Sequence, residues 1–553
     1  DRLQQFRIKA PNILLQMLLR GANAVGYTSY PDNVVKEFIH LAAKNGVDVF
    51  RIFDSLNGLD NMRLSIDTVR ECNKVAEAAL CYTGDILDPR RDKYDLKYYV
   101  DMAKELAAAG ANIIAIKDMA GLLKPEASYR LVSALKDAVD LPIHLHTHEG
   151  SGNAIYTYAR AVDAGVDIVD TAMSAMSCGT SQPSGSSLYY ALSGHPRQPR
   201  VDVDAMNELS RYWETVRPYY KAADQTELFP NPEVYVHEMP GGQYTNLKQQ
   251  ATALGLIERW EEVKDMYHRV SMMFGDLIKV TPSSKIVGDM ALFMVQNDLS
   301  EEDIYAKGDV LDFPASVVEF FEGRIGVPYQ GFPQKLQQIV LKGRKPLEGR
   351  PGDTLPPVNF EEIKAKLAEL EAPITEEAVS SYCLYPKVFT DWVKRVHDFG
   401  DVSVLDTPTF FFGMKIGEEI KVEIEQGKML VIKLVHIGEA NADGIRTVSF
   451  EFNGLPREID IKDRNVKATN ISRKKADKAN QGEIGATLSG SVVKVLVEKG
   501  QAVTKGTPLV VTEAMKMETT IAAPISGIVA QIHVTAGNRI ESGDCLLEIE
   551  LKA

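Results

Sequence analysis

The first half of the chain alternates amphipathic, helix-like stretches with short runs of β-branched and other apolar residues. The same transition occurs three times: a helix-like stretch ends at a glycine (Gly46, Gly110 or Gly165), and an apolar run follows. Glycine adopts a left-handed conformation at a helix end at little cost, and a continuous apolar run suits a strand buried on both faces. This alternation predicts a parallel sheet covered by helices.

Seven runs are candidate strands of this sheet: Ile13–Leu19, Val47–Phe53, Ala79–Thr83, Ile113–Ile116, Pro142–His146, Val166–Asp170 and Val234–His237. A (β/α)₈ barrel closes with eight strands. We therefore predict an α/β fold of this type, a TIM barrel whose first strand is missing from this chain.

The pattern changes after the last of these runs. Residues 244–400 have the periodicity of helices, 415–465 alternate as in a small β unit, and 473–478 are charged like a solvated linker. The last segment contains an internal repeat with a period of 37: Gly490, Gly500, Gly506, Leu509 and Glu513 recur as Gly527, Gly537, Gly543, Leu546 and Glu550. Two copies with alternating apolar residues and turn glycines predict a β-sandwich of two interlocked halves.

Composition narrows the function classes. The net charge of -14 disfavours a nucleic-acid partner, and no apolar run is long enough to span a bilayer. Five cysteines without metal or disulfide spacing predict a reducing compartment, the cytoplasm, with the mitochondrial matrix as the alternative. The chain starts at Asp1 without a methionine, so we expect a fragment of a longer protein.

Lys516 stands between the two copies of the repeat, in the phrase Ala514-Met515-Lys516-Met517. In isolation this phrase is an exposed lysine beside core methionines. Inside a symmetric sandwich it resembles the biotin carrier domain of biotin-dependent carboxylases, whereas lipoyl carriers usually have Asp-Lys-Ala here. The resemblance implies biotin attached covalently to Lys516 by a biotin protein ligase.

Several polar residues stand at or just beyond the carboxyl ends of predicted strands, the catalytic face of this fold. They are Arg20, Asp54, Lys117, His146 and His148. In His146-Thr-His148 both imidazoles lie on one side of an extended strand, where they could hold one divalent metal or form a hydrogen-bonded core pair. Lys117 could be a ligand only as a neutral amine or as a carbamate, and the spacing leaves this open.

Longer phrases carry a broader resemblance. They are Gln16-Met-Leu-Leu-Arg20-Gly, Phe50-Arg-Ile-Phe-Asp54, Tyr82-Thr-Gly-Asp85, Ile116-Lys117-Asp-Met, Glu238-Met-Pro-Gly-Gly and Val280-Thr281-Pro-Ser-Ser-Lys285. On these phrases residues 11–345 resemble the carboxyltransferase domain of the pyruvate carboxylase family, and 485–552 resemble its biotin carrier. The resemblance implies a barrel with a helical extension at 1–345 and a helical and small-β linking or tetramerisation region at 346–475. A linker at 476–484 and the carrier at 485–553 complete the prediction.

The resemblance also implies roles for individual residues. Lys117, as a carbamate, would bind Mn or Zn together with His146 and His148. Arg20 would contact the substrate carboxylate and biotin, and Tyr27 would line the biotin pocket. Thr281 would carry a proton between pyruvate and biotin, with Ser284 and Lys285 beside it. Without the family context Thr281 is a helix cap and Arg20 a rim salt bridge.

Two departures from the family pattern stand out. The family's first strand carries an aspartate metal ligand and a substrate-binding glutamine, and both are absent from this chain, which puts metal retention and turnover in question. Glu149 and Gly150 replace the usual Asp-Thr after His148. We expect the change to affect the surroundings of the metal.

The resemblance implies a ligase that carboxylates pyruvate to oxaloacetate, in gluconeogenesis and anaplerosis, with its ATP-dependent biotin-charging half outside this chain. It also implies a homotetramer regulated by acetyl-CoA or a nucleotide. The alternative enzyme is the alpha subunit of an oxaloacetate decarboxylase or a transcarboxylase. A non-enzymatic carrier or scaffold with an inactive barrel is the alternative of another class.

Overall fold

The structure is a computed structural model that describes residues 2–221, 224, 229–440, 444–463, 474–477, 480, 482–514 and 517–550. The predicted biotin site, Lys516, lies outside the described residues. Within them, no helix combines the length and apolarity needed to cross a membrane.

The N-terminal half contains one parallel sheet whose strands follow one another in chain order. The strands are β1 Gln16–Leu19, β2 Val49–Ile52, β3 Val75–Cys81, β4 Ile113–Asp118, β5 Ile143–Thr147 and β6 Ile168–Val169. This order confirms the predicted α/β barrel class. The strand count is wrong, because the described residues form six parallel strands of this sheet and not seven.

Helices pack against this sheet, and three of them end as the glycine pattern predicts. The helices are α1 Arg2–Lys9, α2 Asp32–Lys44, α3 Leu59–Glu71, α4 Leu96–Ala108, α5 Pro125–Ala138, α6 Ala154–Asp163 and α7 Gly185–Ala191. Gly46, Gly110 and Gly165 have φ of 121°, 97° and 96°. Because L-residues rarely adopt such angles, these glycines allow the chain to turn sharply from helix to strand.

Val234–His237 is one turn of helix (α9), so its prediction as a strand is wrong. Pro232 precedes it by two residues and presets a helical φ, and the Asn231 side chain accepts a hydrogen bond from the Glu233 amide at 3.1 Å. The turn ends at Glu238, a left-handed residue with φ of 56°. The alternating pattern thus reflects one buried and one exposed valine on a short helix.

The region after α9 is helical over most of its length, as predicted. Its helices, together with the preceding α8, are α8 Val203–Val216, α10 Gly241–Ala253, α11 Trp260–Met273, α12 Ser283–Gln296, α13 Glu301–Lys307, α14 Ala315–Phe321, α15 Gln334–Leu341, α16 Pro351–Thr354, α17 Phe360–Glu369, α18 Glu376–Leu384, α19 Pro386–Phe399 and α20 Thr407–Phe412. Helices α10 to α15 enclose a second core that contains Val287, Met290 and Phe320.

The predicted small β unit is a four-stranded antiparallel sheet. Its strands are β7 Glu419–Glu425, β8 Lys428–Ile437, β9 Ile445–Phe452 and β10 Leu455–Lys462.

The C-terminal region is the predicted sandwich, built from two four-stranded sheets. Its strands are β11 Glu483–Gly485, β12 Gly490–Val495, β13 Ala502–Val503, β14 Pro508–Ala514, β15 Met517–Ala522, β16 Gly527–Ile532, β17 Arg539–Ile540 and β18 Cys545–Glu550. The repeat-related residues Leu509 and Leu546 are both fully buried in its core. Lys474 and Lys475, predicted as part of a solvated linker, form ion pairs with Glu483, Glu548 and Asp544 of the sandwich.

Candidate active site at the carboxyl end of the barrel sheet

Lys117, His146 and Asp170 form a row across three neighbouring strands. Lys117 of β4 pairs in register with His146 of β5. Asp170 directly follows β6, and its amide donates to the Leu145 carbonyl at 3.2 Å. Because side chains alternate along a strand, His144, His146 and His148 point to the same face. The parallel register thus gathers a lysine, histidines and a carboxylate inside the barrel.

His146 and His148 point unprotonated nitrogens at each other. The Nδ1 of His146 lies 2.7 Å from Asp170 Oδ2, and the Nδ1 of His148 lies 2.6 Å from the Thr180 carbonyl oxygen. Both oxygens are acceptors, so each Nδ1 carries the proton and each Nε2 keeps a lone pair. The two Nε2 atoms are 3.2 Å apart. Burial, with the nearby charge of Lys117, lowers the pKa of His146 to about 3 and of His148 to about 4.

This donor pair fits a divalent metal ion. Metal–nitrogen bonds of about 2.1 Å place neighbouring ligand atoms roughly 3.0–3.4 Å apart, and both ring nitrogens are neutral donors. The two Nε2 atoms cannot hydrogen-bond to each other, because each imidazole carries its proton on Nδ1. The alternative of a self-satisfied core histidine pair therefore does not account for the geometry.

Lys117 is buried, and no hydrogen bond joins its Nζ to another described residue. Its Nζ lies 4.8 Å from the centre of the Phe53 ring. Burial lowers the pKa of Lys117 to about 8, so a neutral amine forms near physiological pH. The free amine is the form that could bind a metal or accept carbon dioxide as a carbamate, and the geometry leaves both open.

Arg20 also lies near the Phe53 ring. Its guanidinium is 5.8 Å from the centre of this ring and 5.4 Å from that of Tyr27, and its Nη1 donates to the Val25 carbonyl at 3.0 Å. No carboxylate of the described residues pairs with Arg20, and its buried Nε has no hydrogen-bond partner among them. The rim salt bridge is therefore not formed there, and the cation is available to an anionic ligand.

Tyr385, which the sequence reasoning missed, reaches this cluster from the start of α19. Its hydroxyl donates to the Val25 carbonyl at 2.5 Å, the same oxygen that accepts from Arg20. No local pattern could have revealed the contact, because 360 residues separate the two partners.

Thr281 and Ser284 lie side by side at the start of α12, with their hydroxyl oxygens 3.4 Å apart. Pro282 is the residue that precedes the helix, and no side chain caps it, so the helix-cap reading of Thr281 is wrong. The Ser283 hydroxyl contacts the Ser55 carbonyl at 3.5 Å, which places this turn near the end of β2. Lys285 forms an ion pair with Asp289 at 2.7 Å.

A buried ion cluster holds the turn that precedes Thr281. Lys279 pairs with Glu238 at 2.5 Å and with Asp276 at 3.0 Å, and Arg91 pairs with the same two carboxylates. Lys279 also donates to the Thr83 hydroxyl at 3.4 Å, beyond the end of β3. These ion pairs hold Glu238 in its left-handed conformation, which non-glycine residues adopt at a cost.

Lys279→Met is expected to lower the free energy of unfolding by about 3–5 kcal/mol, because Glu238 and Asp276 would then share one buried cation. Urea unfolding measures the loss. Lys307→Met, which removes an exposed pair with Asp303, serves as the control and is expected to cost about 0.5 kcal/mol. Equal losses in the two variants would show that the cluster does not stabilise the fold.

Asp54, at a predicted strand end, and Glu149, a departure from the family pattern, have local structural roles. The Asp54 carboxylate accepts hydrogen bonds from the Leu56 and Gly58 amides, each at 2.9 Å, and so closes the turn after β2. The Glu149 carboxylate accepts from the Ala154 amide at 3.2 Å, at the start of α6. The Nδ1 atoms of the two histidines bond to Asp170 and Thr180, and no described hydrogen bond joins the Glu149 side chain to either histidine.

The C-terminal sandwich contacts α14 and α19 of the helical region. Strand β15 packs against α14, and Lys387 of α19 lies 3.8 Å from Glu513 of β14. Ser316 of α14 donates to Asp289, the partner of Lys285, at 2.6 Å. Ala514 and Met517 pair across the β14–β15 hairpin.

Three family descriptions match successive parts of the chain. "HMGL-like" matches residues 31–212, "Conserved carboxylase domain" matches 234–433 and "Biotin-requiring enzyme" matches 478–549.

Known proteins are similar to this chain over nearly its whole length. Pyruvate carboxylase of Bacillus subtilis (strain 168) is 59% identical over 99% of this chain and 48% of its own length. The complete multifunctional pyruvate carboxylase of Rhizobium etli has a TM-score of 0.80 at 49% identity, over 99% of this chain and 50% of that one. The chain spans about half the length of the curated relatives it matches.

A solved structure of the carboxyl transferase domain alone, from Rhizobium etli pyruvate carboxylase with pyruvate and biocytin, is 52% identical. Its TM-score is 0.81, over 84% of this chain and 78% of that one. At this identity and coverage, the chain belongs to the pyruvate carboxylase family and contains its carboxyltransferase and biotin-carrier regions.

Proposed function

We propose that this chain transfers a carboxyl group from carboxybiotin, carried on Lys516, to pyruvate and so forms oxaloacetate. The observation that carries the proposal is the pair of converging Nε2 lone pairs of His146 and His148 beside an unpaired Arg20. Such a site suits a small anionic substrate whose reaction develops negative charge. The solved Rhizobium etli domain with pyruvate and biocytin supports the same substrate and cofactor.

Lys117, His146 and His148 are the proposed metal ligands, for Mn or Zn. These residues would hold a divalent ion, which would polarise the carbonyl of pyruvate and stabilise the negative charge of its enolate. Burial of Lys117 and His146 limits the access of competing water to these two ligands, and His148 is half-buried.

Arg20 is proposed to bind the carboxylate of pyruvate and to contact biotin. Its contacts with Tyr27 and Val25 fix the guanidinium at the rim without neutralising it. Tyr27, which is half exposed, presents its ring toward solvent, where a flat ring system such as biotin could stack. Ser284 and Lys285 complete the proposed pocket.

Thr281 is proposed to carry the proton. Its Oγ1 accepts a proton from the methyl group of pyruvate and passes its own proton to biotin, so the hydroxyl ends unchanged. Ser284 supports this role, since its hydroxyl lies 3.4 Å from Thr281 Oγ1 and can hold it in place.

The wider assignments are proposals as well. We propose the barrel with its helical extension at 1–345, the linking or tetramerisation region at 346–475, the linker at 476–484 and the carrier at 485–553. The full protein would charge biotin with ATP in a separate half, assemble as a homotetramer and respond to acetyl-CoA or a nucleotide. A biotin protein ligase would modify Lys516. Five free cysteines support a cytoplasmic location.

Thr281→Ala is expected to lower oxaloacetate formation about 10²–10⁴-fold, the contribution typical of a positioned proton carrier. Thr281→Ser keeps the hydroxyl and is the matched control, expected to retain most of the activity. Rates are measured with the full natural sequence of the protein, since this chain spans about half of its relatives. Comparable activity of Thr281→Ala and the wild type would show that Thr281 is not the proton carrier.

A further inference from the structure

Asp170 connects the proposed metal ligands to a second group of buried charges. Its Oδ2 accepts from His146 Nδ1 at 2.7 Å and from the Arg51 guanidinium, and its Oδ1 lies 2.9 Å from His144 Nε2. One carboxylate is therefore shared by three donors, and only one of these belongs to the proposed metal site.

Arg51, Glu77, His144 and Asp170 form a closed ring inside the barrel. Arg51 pairs with both carboxylates, and the two ring nitrogens of His144 lie 3.0 Å from Glu77 and 2.9 Å from Asp170. Gln16 donates to Glu77 at 2.7 Å. Moving any member would leave a buried charge without its partner, at a large cost. The ring therefore fixes the position of the Asp170 carboxylate.

This fixed carboxylate determines how His146 presents its second nitrogen. Because Asp170 accepts the Nδ1 proton, the Nε2 lone pair is free and points at His148 Nε2, 3.2 Å away. Without that acceptor the ring could take the other tautomer and donate an Nε2 proton to His148, which would block metal binding at both histidines. Partners of this kind orient metal-binding histidines and raise their basicity.

We infer that Asp170 is a positioning residue for metal binding, held in place by Arg51 and His144. The inference rests on the proposed metal site at His146 and His148. It is separable from a role in folding, because Glu77 belongs to the same ring, is more deeply buried than Asp170 and has no described contact with His146.

Two isosteric variants test the inference, Asp170→Asn and Glu77→Gln. Each removes one carboxylate charge from the ring and leaves the same two cations. Binding of Mn²⁺, and of Zn²⁺ in a parallel series, is measured by equilibrium dialysis on the purified protein, and urea unfolding is followed on the same samples. We expect Asp170→Asn to weaken the affinity for the tighter-binding metal about 10–100-fold. Glu77→Gln is expected to change it less than about threefold, although both variants unfold at lower urea.

The outcomes separate the possible failures. If the wild type binds neither metal, the proposed metal site itself fails. If the wild type binds and Asp170→Asn binds equally well, or Glu77→Gln loses as much affinity as Asp170→Asn, the positioning role is overturned. Should Asp170→Asn not fold, Asp170→Glu keeps the charge for Arg51 but shifts the carboxylate. It is expected to weaken metal binding, and wild-type affinity in that variant would equally overturn the inference.

Discussion

Lys516→Ala is expected to abolish biotin incorporation and with it all avidin-sensitive carboxylation of pyruvate. Lys516 is the one lysine in the sequence between Ala514 and Met517, which pair across the β14–β15 hairpin. Streptavidin binding on a gel measures incorporation, and oxaloacetate formation measures activity.

Lys499→Ala is the matched control for this prediction. Lys499 is exposed in another turn of the same sandwich, one residue before the repeat glycine Gly500. The control is expected to keep both biotin and activity. Biotin in Lys516→Ala, at a level similar to the wild type, would show that the attachment site was assigned to the wrong lysine.

His146→Ala is expected to lower oxaloacetate formation at least about 10³-fold. The variant loses one of two converging metal donors, and a Lewis-acid metal contributes several kcal/mol to stabilising the enolate. Steady-state rates with saturating pyruvate and metal analysis of the purified protein measure the effect together, since the loss of activity should follow the loss of metal.

His195→Ala controls for the removal of an imidazole beside an aspartate. His195 Nε2 lies 3.4 Å from Asp163, the last residue of α6, and it takes no part in the proposed site. It is expected to retain metal and activity. A His146→Ala protein that keeps its metal but loses activity would assign the metal to other ligands.

The periodic parts of the fold could be predicted from the sequence. Gly46, Gly110 and Gly165 mark three helix–strand junctions. The backbone there has a positive φ, which glycine adopts without the steric cost that other residues incur. The 37-residue repeat reveals the sandwich because each copy buries an equivalent leucine, Leu509 or Leu546. Both signals are local or repeated, and neither depends on which distant element provides the partner.

Apart from α9, where local residues favour a helical turn, predictions failed where distant partners decide the structure. Strand β3 begins at Val75, four residues before the predicted start. Glu77 breaks the apolar run in the sequence, but in the fold it is buried within the strand because it pairs with Arg51 and His144. Burial alone would lower the pKa of His144, but its hydrogen bonds to Asp170 and Glu77 raise it. Buried charged residues do not produce the apolar periodicity from which strands are predicted, so this ring could not be recognised in the sequence.

The sequence predicts only the part of the candidate site that depends on local spacing. The His-x-His spacing placed His146 and His148 on one side of a strand, and the structure brings their Nε2 atoms to 3.2 Å. Asp170 and Thr180, which determine the tautomers, come from later loops, so only the completed barrel brings them there. The position of Asp170 at the end of a predicted strand was the one signal that could have identified it.

The most direct test of carboxyl transfer to pyruvate is oxaloacetate formation by the protein with its full natural sequence, from pyruvate, bicarbonate and ATP. The assay is run with and without avidin, and without ATP. We expect formation that requires ATP and that avidin abolishes. Avidin-sensitive decarboxylation of oxaloacetate without any ATP-dependent formation would contradict the account and favour the decarboxylase, and no reaction in either direction would favour an inactive scaffold.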